Sequence, residues 1–129
     1  MRVSARRRKG YAHTVTFEHH TLIVDEPEES AGADTGPRPT AVLGMSLASC
    51  TAITIEMYAQ RKGWDVGDLE VEVDYVLDPK ATSRFDVLLK FPDSLSAAQV
   101  ESLRTIAGKC PVHRVLKGEV EINDRVERA

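Results

Sequence analysis

Apolar positions recur along the chain with two different periods, and the switches between them lay out its elements. Residues Ala12–Phe17 alternate around Val15 and Phe17, and 21–24 follow after Glu18, His19 and His20, a pattern that predicts two short strands joined by a tight turn. From 25 to 39 the string DEPEESAGADTGPRP gathers acidic residues, glycines and three prolines, which predicts a loop. The stretch 40–62 then predicts a long helix. Pro39 stands near its first turn, Arg61 and Lys62 in its last turn suit the helix dipole, and Gly63 lies just past the end. Its polar residues are small and scattered, so nearly every face must be covered.

Beyond Gly67 the period becomes two. LEVEVDYVLD places Leu69, Val71, Val73 and Tyr75 on one face and Glu70, Glu72 and Asp74 on the other, the alternation of a half-buried strand. Residues 84–91 form a second such strand, separated from the first by a turn around Pro79. A second helix is expected over 97–109, with Ser96 as N-cap, Gln99 three residues later, and Leu95 and Val100 placed as a hydrophobic staple. Pro111 closes that helix, 112–116 continue as a short turn, and 119–126 alternate again through Val120, Ile122 and Val126 as a last strand. The order β-β-α-β-β-α-β is that of an α+β fold, helices on a mainly antiparallel sheet, in a single domain over 1–129.

Composition narrows the classes of function. A hydrophobic fraction of 42% and a charged fraction of 29% are those of an ordinary globular chain, and 129 residues suffice to bury a core without a disulfide or metal staple. The net charge of −3 gives no reason to expect nucleic acid or an anionic membrane as partner. The one basic run, Arg6-Arg7-Arg8-Lys9, reads as a solvated arm. No apolar segment of the secretory kind follows Met1, and the longest uncharged run, 41–55, falls short of the ~20 residues that span a bilayer. Cytoplasm is the expected compartment, and there the two cysteines are expected to be reduced.

Those cysteines are the candidate chemistry. Cys50 is flanked by Ala48, Ser49, Thr51 and Ala52, small residues that leave room for a substrate or another segment to approach its sulfur. Cys110 lies in KCPVHR at the end of the second predicted helix. Two cysteines that meet in space can reduce a peroxide: one thiolate attacks the O–O bond and becomes a sulfenic acid, and the other condenses with it to a disulfide. A cysteine in an apolar helix is more commonly a small buried hydrophobe, and reactivity requires a cation or helix N-terminus to hold its pKa down. Cys50 stands about 15 Å into its helix at ~1.5 Å per residue, so its own helix dipole offers little. A metal site is the competing reading, from the ligand-like spacing of Cys110 and His113, but a closed zinc site needs four ligands and only His13, His19 and His20 could add to them. Gly-rich phosphate loops, a G-x-S-x-G elbow and paired carboxylates are not found.

The strings TLIVDEP, GADTGPRPT, SLASCTAITIEMYAQRKGW and KCPVHRVL, in that order over nearly the whole chain, resemble the OsmC/Ohr family of osmotically induced and organic hydroperoxide resistance proteins. The exit RKGW looks closest to the broad OsmC-like branch. The resemblance implies an intertwined homodimer whose two central helices lie between sheets from both subunits. It further implies a cysteine peroxidase for organic hydroperoxides and hydrogen peroxide, reduced by an external dithiol, with no cofactor, metal, nucleic acid or membrane. By position, Cys50 would be the peroxidatic cysteine and Cys110 the resolving one. Many relatives carry a glutamate nine or ten positions before the peroxidatic cysteine to orient an arginine beside the thiol; Ala41 and Thr40 stand there instead. Candidates for the stabilising arginine are Arg6, Arg7 and Arg8 near the N-terminus and Arg38, the last toward the partner subunit's Cys50, while His113 would modulate the Cys110 thiol. A non-catalytic relative that binds a small apolar or thiol ligand at the dimer interface is the alternative.

Overall fold

Gly10, in the left-handed region at φ 60°, turns the chain from strand β1 (Ser4–Lys9) into β2 (Ala12–Phe17), and a second tight turn through Glu18 leads into β3 (His20–Val24). The three make an antiparallel meander with β2 in the centre, in register Ala5↔Val15 and Val15↔Leu22. In this computed structural model residues 1–128 are described, and the chain divides into two units, Met1–Met45 and the part from Ser46 onward.

In the first unit the meander is followed by a 3-10 turn, Glu28–Ser30, and a loop tied back on itself by Asp25. The Asp25 carboxylate accepts the Glu26 N–H at 2.7 Å, the Thr35 N–H at 3.1 Å and the Thr35 hydroxyl at 2.6 Å. The Thr35 hydroxyl, with the Glu26 and Thr35 amides behind it, holds this carboxyl below its ordinary pKa. Within the loop Gly32 lies so close to the Glu26 carbonyl, and Gly36 to that of Ile23, that a side chain at either would collide with backbone. Beyond it α1 (Pro39–Lys62) begins, its first amides bonded to the Arg38 carbonyl.

The second unit contains the rest of α1, the hairpin β4 (Glu70–Val76) and β5 (Arg84–Lys90), α2 (Ala97–Ala107) and α3 (Pro111–Lys117). α1 buries one stripe at four-residue spacing, Leu47, Thr51, Ile55 and Ala59, and Thr51 keeps its hydroxyl satisfied by donating to the Leu47 carbonyl at 2.8 Å. The helix stops in a Schellman motif: Gly63, at φ 73°, donates to Gln60 O and Trp64 to Ala59 O. Ile55 and Ala59 pack with Leu103 and Ala107 of α2, and Tyr58, Trp64, Val66, Leu69, Leu89, Phe91 and Leu95 close around them. β4 and β5 pair antiparallel, with Tyr75 stacked on Phe85 at 5.2 Å between ring centres. On the outward face Lys90 reaches both Glu70 and Glu72.

Mixed helix and antiparallel sheet is the predicted class, and β2, α1, β4, β5 and α2 fall where the apolar periods place them. Three details differ. Arg6 to Lys9 are not a free arm but part of β1, an edge strand exposed on both faces, which therefore shows no apolar alternation. The turn expected over 112–116 is a full seven-residue helix, because Pro111 fits the first helical position without an N–H to lose. No strand forms over 119–126: these residues belong to no regular element and are exposed, Val120, Ile122 and Val126 included, and they pair with no strand among the described residues. The element order is accordingly β-β-β-α-β-β-α-α. Within one chain α1 leaves apolar side chains in solvent, Ile53 and Met57 being 49% and 61% exposed. By length and composition α1 could cross a membrane, but its buried stripe packs into the core of the second unit.

Leu103 is fully enclosed, so Leu103→Ala removes packed methyl groups and leaves a cavity. Urea unfolding is expected to show a loss of about 2–5 kcal/mol with an unchanged denaturant slope.

Candidate active site

The packing of α1 on α2 brings Cys50 and Cys110 together. Cys50 lies on α1 one helical turn and a residue before Ile55, and Cys110 follows the core residue Ala107 by three positions. Between α2 and α3 the chain makes a tight reversal in which Lys109 N–H bonds Ile106 O and Cys110 N–H bonds Ala107 O. Cys110 then becomes the N-cap of α3, its Sγ accepting the His113 N–H at 3.5 Å.

The two thiols lie side by side, near enough for each to bear on the other's proton, and the Val112 amide and the Thr54 hydroxyl border Cys50. Their exposures differ: Cys50 is partly exposed, whereas Cys110 is fully buried. Of the two, Cys50 is the one that an incoming molecule can reach. Both are free thiols here.

Burial pushes the Cys50 thiol above its ordinary pKa, and the Cys110 thiol beside it acts in the same direction through its hydrogen bond and its charge. The Val112 amide and the Thr54 hydroxyl pull the other way, more weakly, and no cationic side chain is among the causes. Cys50 at neutral pH is thus a thiol poised to lose its proton only when positive charge is added.

The other candidates have separate placements. Arg6 and Arg7 lie on β1, where Arg7 opposes His13 and donates Nε–H to Gly10 O at 3.1 Å, and Arg8 occupies the bulge between Arg7 and Lys9. Arg38 is exposed just before α1. All four belong to the first unit, and the two cysteines belong to the second. His113 takes part through its backbone N–H. Among the described residues no three His, Cys, Asp or Glu side chains converge as metal ligands. Two contributors escaped the sequence reading. Thr54 is four residues after Cys50 and so on the same helix face, a spacing that could have marked it; the Val112 amide is a backbone donor, marked only by the Cys-Pro pair that starts α3.

Because the Thr54 hydroxyl favours the thiolate, Thr54→Val is expected to raise the pH midpoint of Cys50 alkylation by iodoacetamide and to slow the reaction at neutral pH by roughly threefold. Thr54→Ser, which keeps the hydroxyl, is expected to stay near the parent. An unchanged midpoint in Thr54→Val would remove Thr54 from the site.

In sequence, no curated protein matches this chain. Solved structures do match in fold. An OsmC-like protein from Mycoplasma pneumoniae superposes with a TM-score of 0.77 at 19% identity, over 91% of this chain and 86% of its own. The organic hydroperoxide resistance protein OsmC from Legionella pneumophila gives 0.63 at 21% identity over 92% and 90%. The organic hydroperoxide resistance protein OhrB of Bacillus subtilis gives 0.61 at 21% over 93% and 92%. Residues 32–124, which include both cysteines and the helices that carry them, match the family described as OsmC-like protein, and the chain belongs to that family.

Proposed function

We propose that this chain is a thiol-dependent peroxidase that reduces organic hydroperoxides in defence against oxidative stress, with Cys50 as peroxidatic and Cys110 as resolving cysteine. The observation that carries this reading is a partly exposed Cys50 whose thiol lies beside that of a fully buried Cys110. The names of the Legionella and Bacillus relatives point to the same substrates.

The chemistry balances with those two residues and an external dithiol. The Cys50 thiolate attacks the outer oxygen of the hydroperoxide, the O–O bond breaks, and the leaving alkoxide takes a proton to become an alcohol. Cys50 is now a sulfenic acid. Cys110 attacks that sulfur, releases water and forms the disulfide, and an external dithiol returns both cysteines to thiols by exchange, becoming a disulfide itself. Hydrogen peroxide would follow the same steps with water in place of the alcohol. Burying Cys110 against Cys50 favours condensation over further oxidation of the sulfenic acid.

Deprotonating Cys50 requires a cation, which we assign to Arg7, Arg8 or Arg38 in an assembled homodimer, Arg38 acting on the partner subunit's Cys50. Thr40 and Ala41 offer no carboxylate to orient it. The exposed Ile53 and Met57 on α1, and the unpaired tail carrying Val120, Ile122 and Val126, leave apolar area that a second subunit would cover. Light scattering is expected to give the mass of two subunits, and a stable monomer would contradict the assembly.

A second reading, a non-catalytic protein that binds a small apolar or thiol ligand at the subunit interface, is favoured by the raised Cys50 thiol and the missing carboxylate. Titration of the reduced protein with cumene hydroperoxide separates the two. The peroxidase is expected to consume peroxide with loss of two thiols, Cys50→Ser to consume none above background, and Cys110→Ser to accumulate over-oxidised Cys50. No consumption by the parent, together with an apolar ligand retained through purification, would establish the second reading.

A further inference from the structure

α3 has seven residues and none of them is fully buried, so it lacks the core anchorage that holds α1 and α2. What holds its start is an unusual set of partners. The first helical position is Pro111, which has no N–H, and the Arg114 N–H already bonds the Cys110 carbonyl at 3.1 Å. Two amides of the first turn remain, Val112 and His113: the His113 N–H donates to Cys110 Sγ at 3.5 Å, and the Val112 amide lies beside Cys50, where it favours the thiolate. The cysteine pair therefore borders both amides of that turn that the helix itself leaves unpaired, and Cys110 caps it directly.

We propose that the oxidation state of the Cys50–Cys110 pair sets the order of the first turn of α3, making this short helix a redox-responsive element. In the reduced protein the sulfurs offer lone pairs, and as thiolates a full charge, to the two amides. Disulfide formation replaces two S–H bonds by one S–S bond. It draws the neighbouring sulfurs into covalent contact, which pulls Cys110 Sγ from its place over the His113 amide, and it removes the possibility of a thiolate acceptor. The elements on either side cannot absorb that movement equally. Cys50 is fixed on a helix whose Leu47 and Ile55 are buried, and Cys110 follows a helix anchored by Leu103 and Ala107. α3 is the one that yields.

This inference rests on the disulfide of the function proposed above but not on a hydroperoxide as the oxidant, which lets the two be tested apart. Diamide is a suitable oxidant: its N=N bond takes up the two electrons and two protons released by the thiols and becomes a hydrazine. The full-length protein is oxidised with diamide, the intramolecular disulfide is confirmed by mass, and amide hydrogen exchange is read over 111–117. Exchange at Val112 and His113 is expected to be roughly tenfold faster in the oxidised protein, to return on reduction with dithiothreitol, and to be unchanged over α2. In the double variant Cys50→Ser with Cys110→Ser, hydroxyl oxygens replace the acceptors and diamide is expected to change nothing. Equal protection of 111–117 in the oxidised and reduced protein, or failure of diamide to form the disulfide, overturns the proposal. A loosened α3 in a protein that consumes no peroxide leaves it standing and defeats the peroxidase.

Discussion

The contact between Ile55 and Ala59 of α1 and Leu103 and Ala107 of α2 is the interaction on which the second unit depends. Ile55 and Leu103 are wholly removed from solvent, and the small Ala59 and Ala107 let the two helices approach closely. Everything of chemical interest hangs from this contact at fixed offsets. Cys50 is carried on the same rigid helix as Ile55, and Cys110 is placed by the short reversal that follows Ala107. A sulfur pair distant in sequence thus acquires its geometry from packing, with no disulfide joining it.

The same packing creates an electrostatic problem. Burial that keeps two thiols in contact also disfavours their charged form, and the Val112 amide and Thr54 hydroxyl offset only part of that cost at Cys50. The site is therefore built for proximity first and activation second. In the proposed peroxidase charge arrives from outside the pair, and Thr40 and Ala41 offer no carboxylate to orient it.

How much of this was legible in the sequence follows from which signals are local. Strict alternation in LEVEVDYV, the Ser96–Gln99 capping box and the Gly63 ending of α1 are properties of neighbouring residues, and each appears where expected. β1 was missed because an edge strand made of arginines carries no apolar period. Residues 119–126 have that period and still form no strand, since alternation describes which side chains could share a face and supplies no partner for the backbone. At the site, the pairing of Cys50 with Cys110 came from a resemblance rather than from spacing. Thr54 stands one helical turn from Cys50, a spacing present in the sequence, whereas the Val112 amide became visible only through the fold, because a backbone donor has no side chain to announce it.

The loop closed by Asp25 and Thr35 has a consequence for how this protein can change. Gly32 and Gly36 lie against the carbonyls of Glu26 and Ile23 with no space for a methyl group, and the Asp25 carboxylate meets both the amide and the hydroxyl of Thr35. A single inserted or deleted residue would slide this lattice out of step and leave a buried carboxylate without donors. The turn between β4 and β5, held by exposed bonds from Ser83 and Asp78, has no such interlock. Insertions, epitope tags and grafted loops are accordingly accommodated between β4 and β5, while the glycine-rich loop, for all its surface position and polar composition, behaves as core.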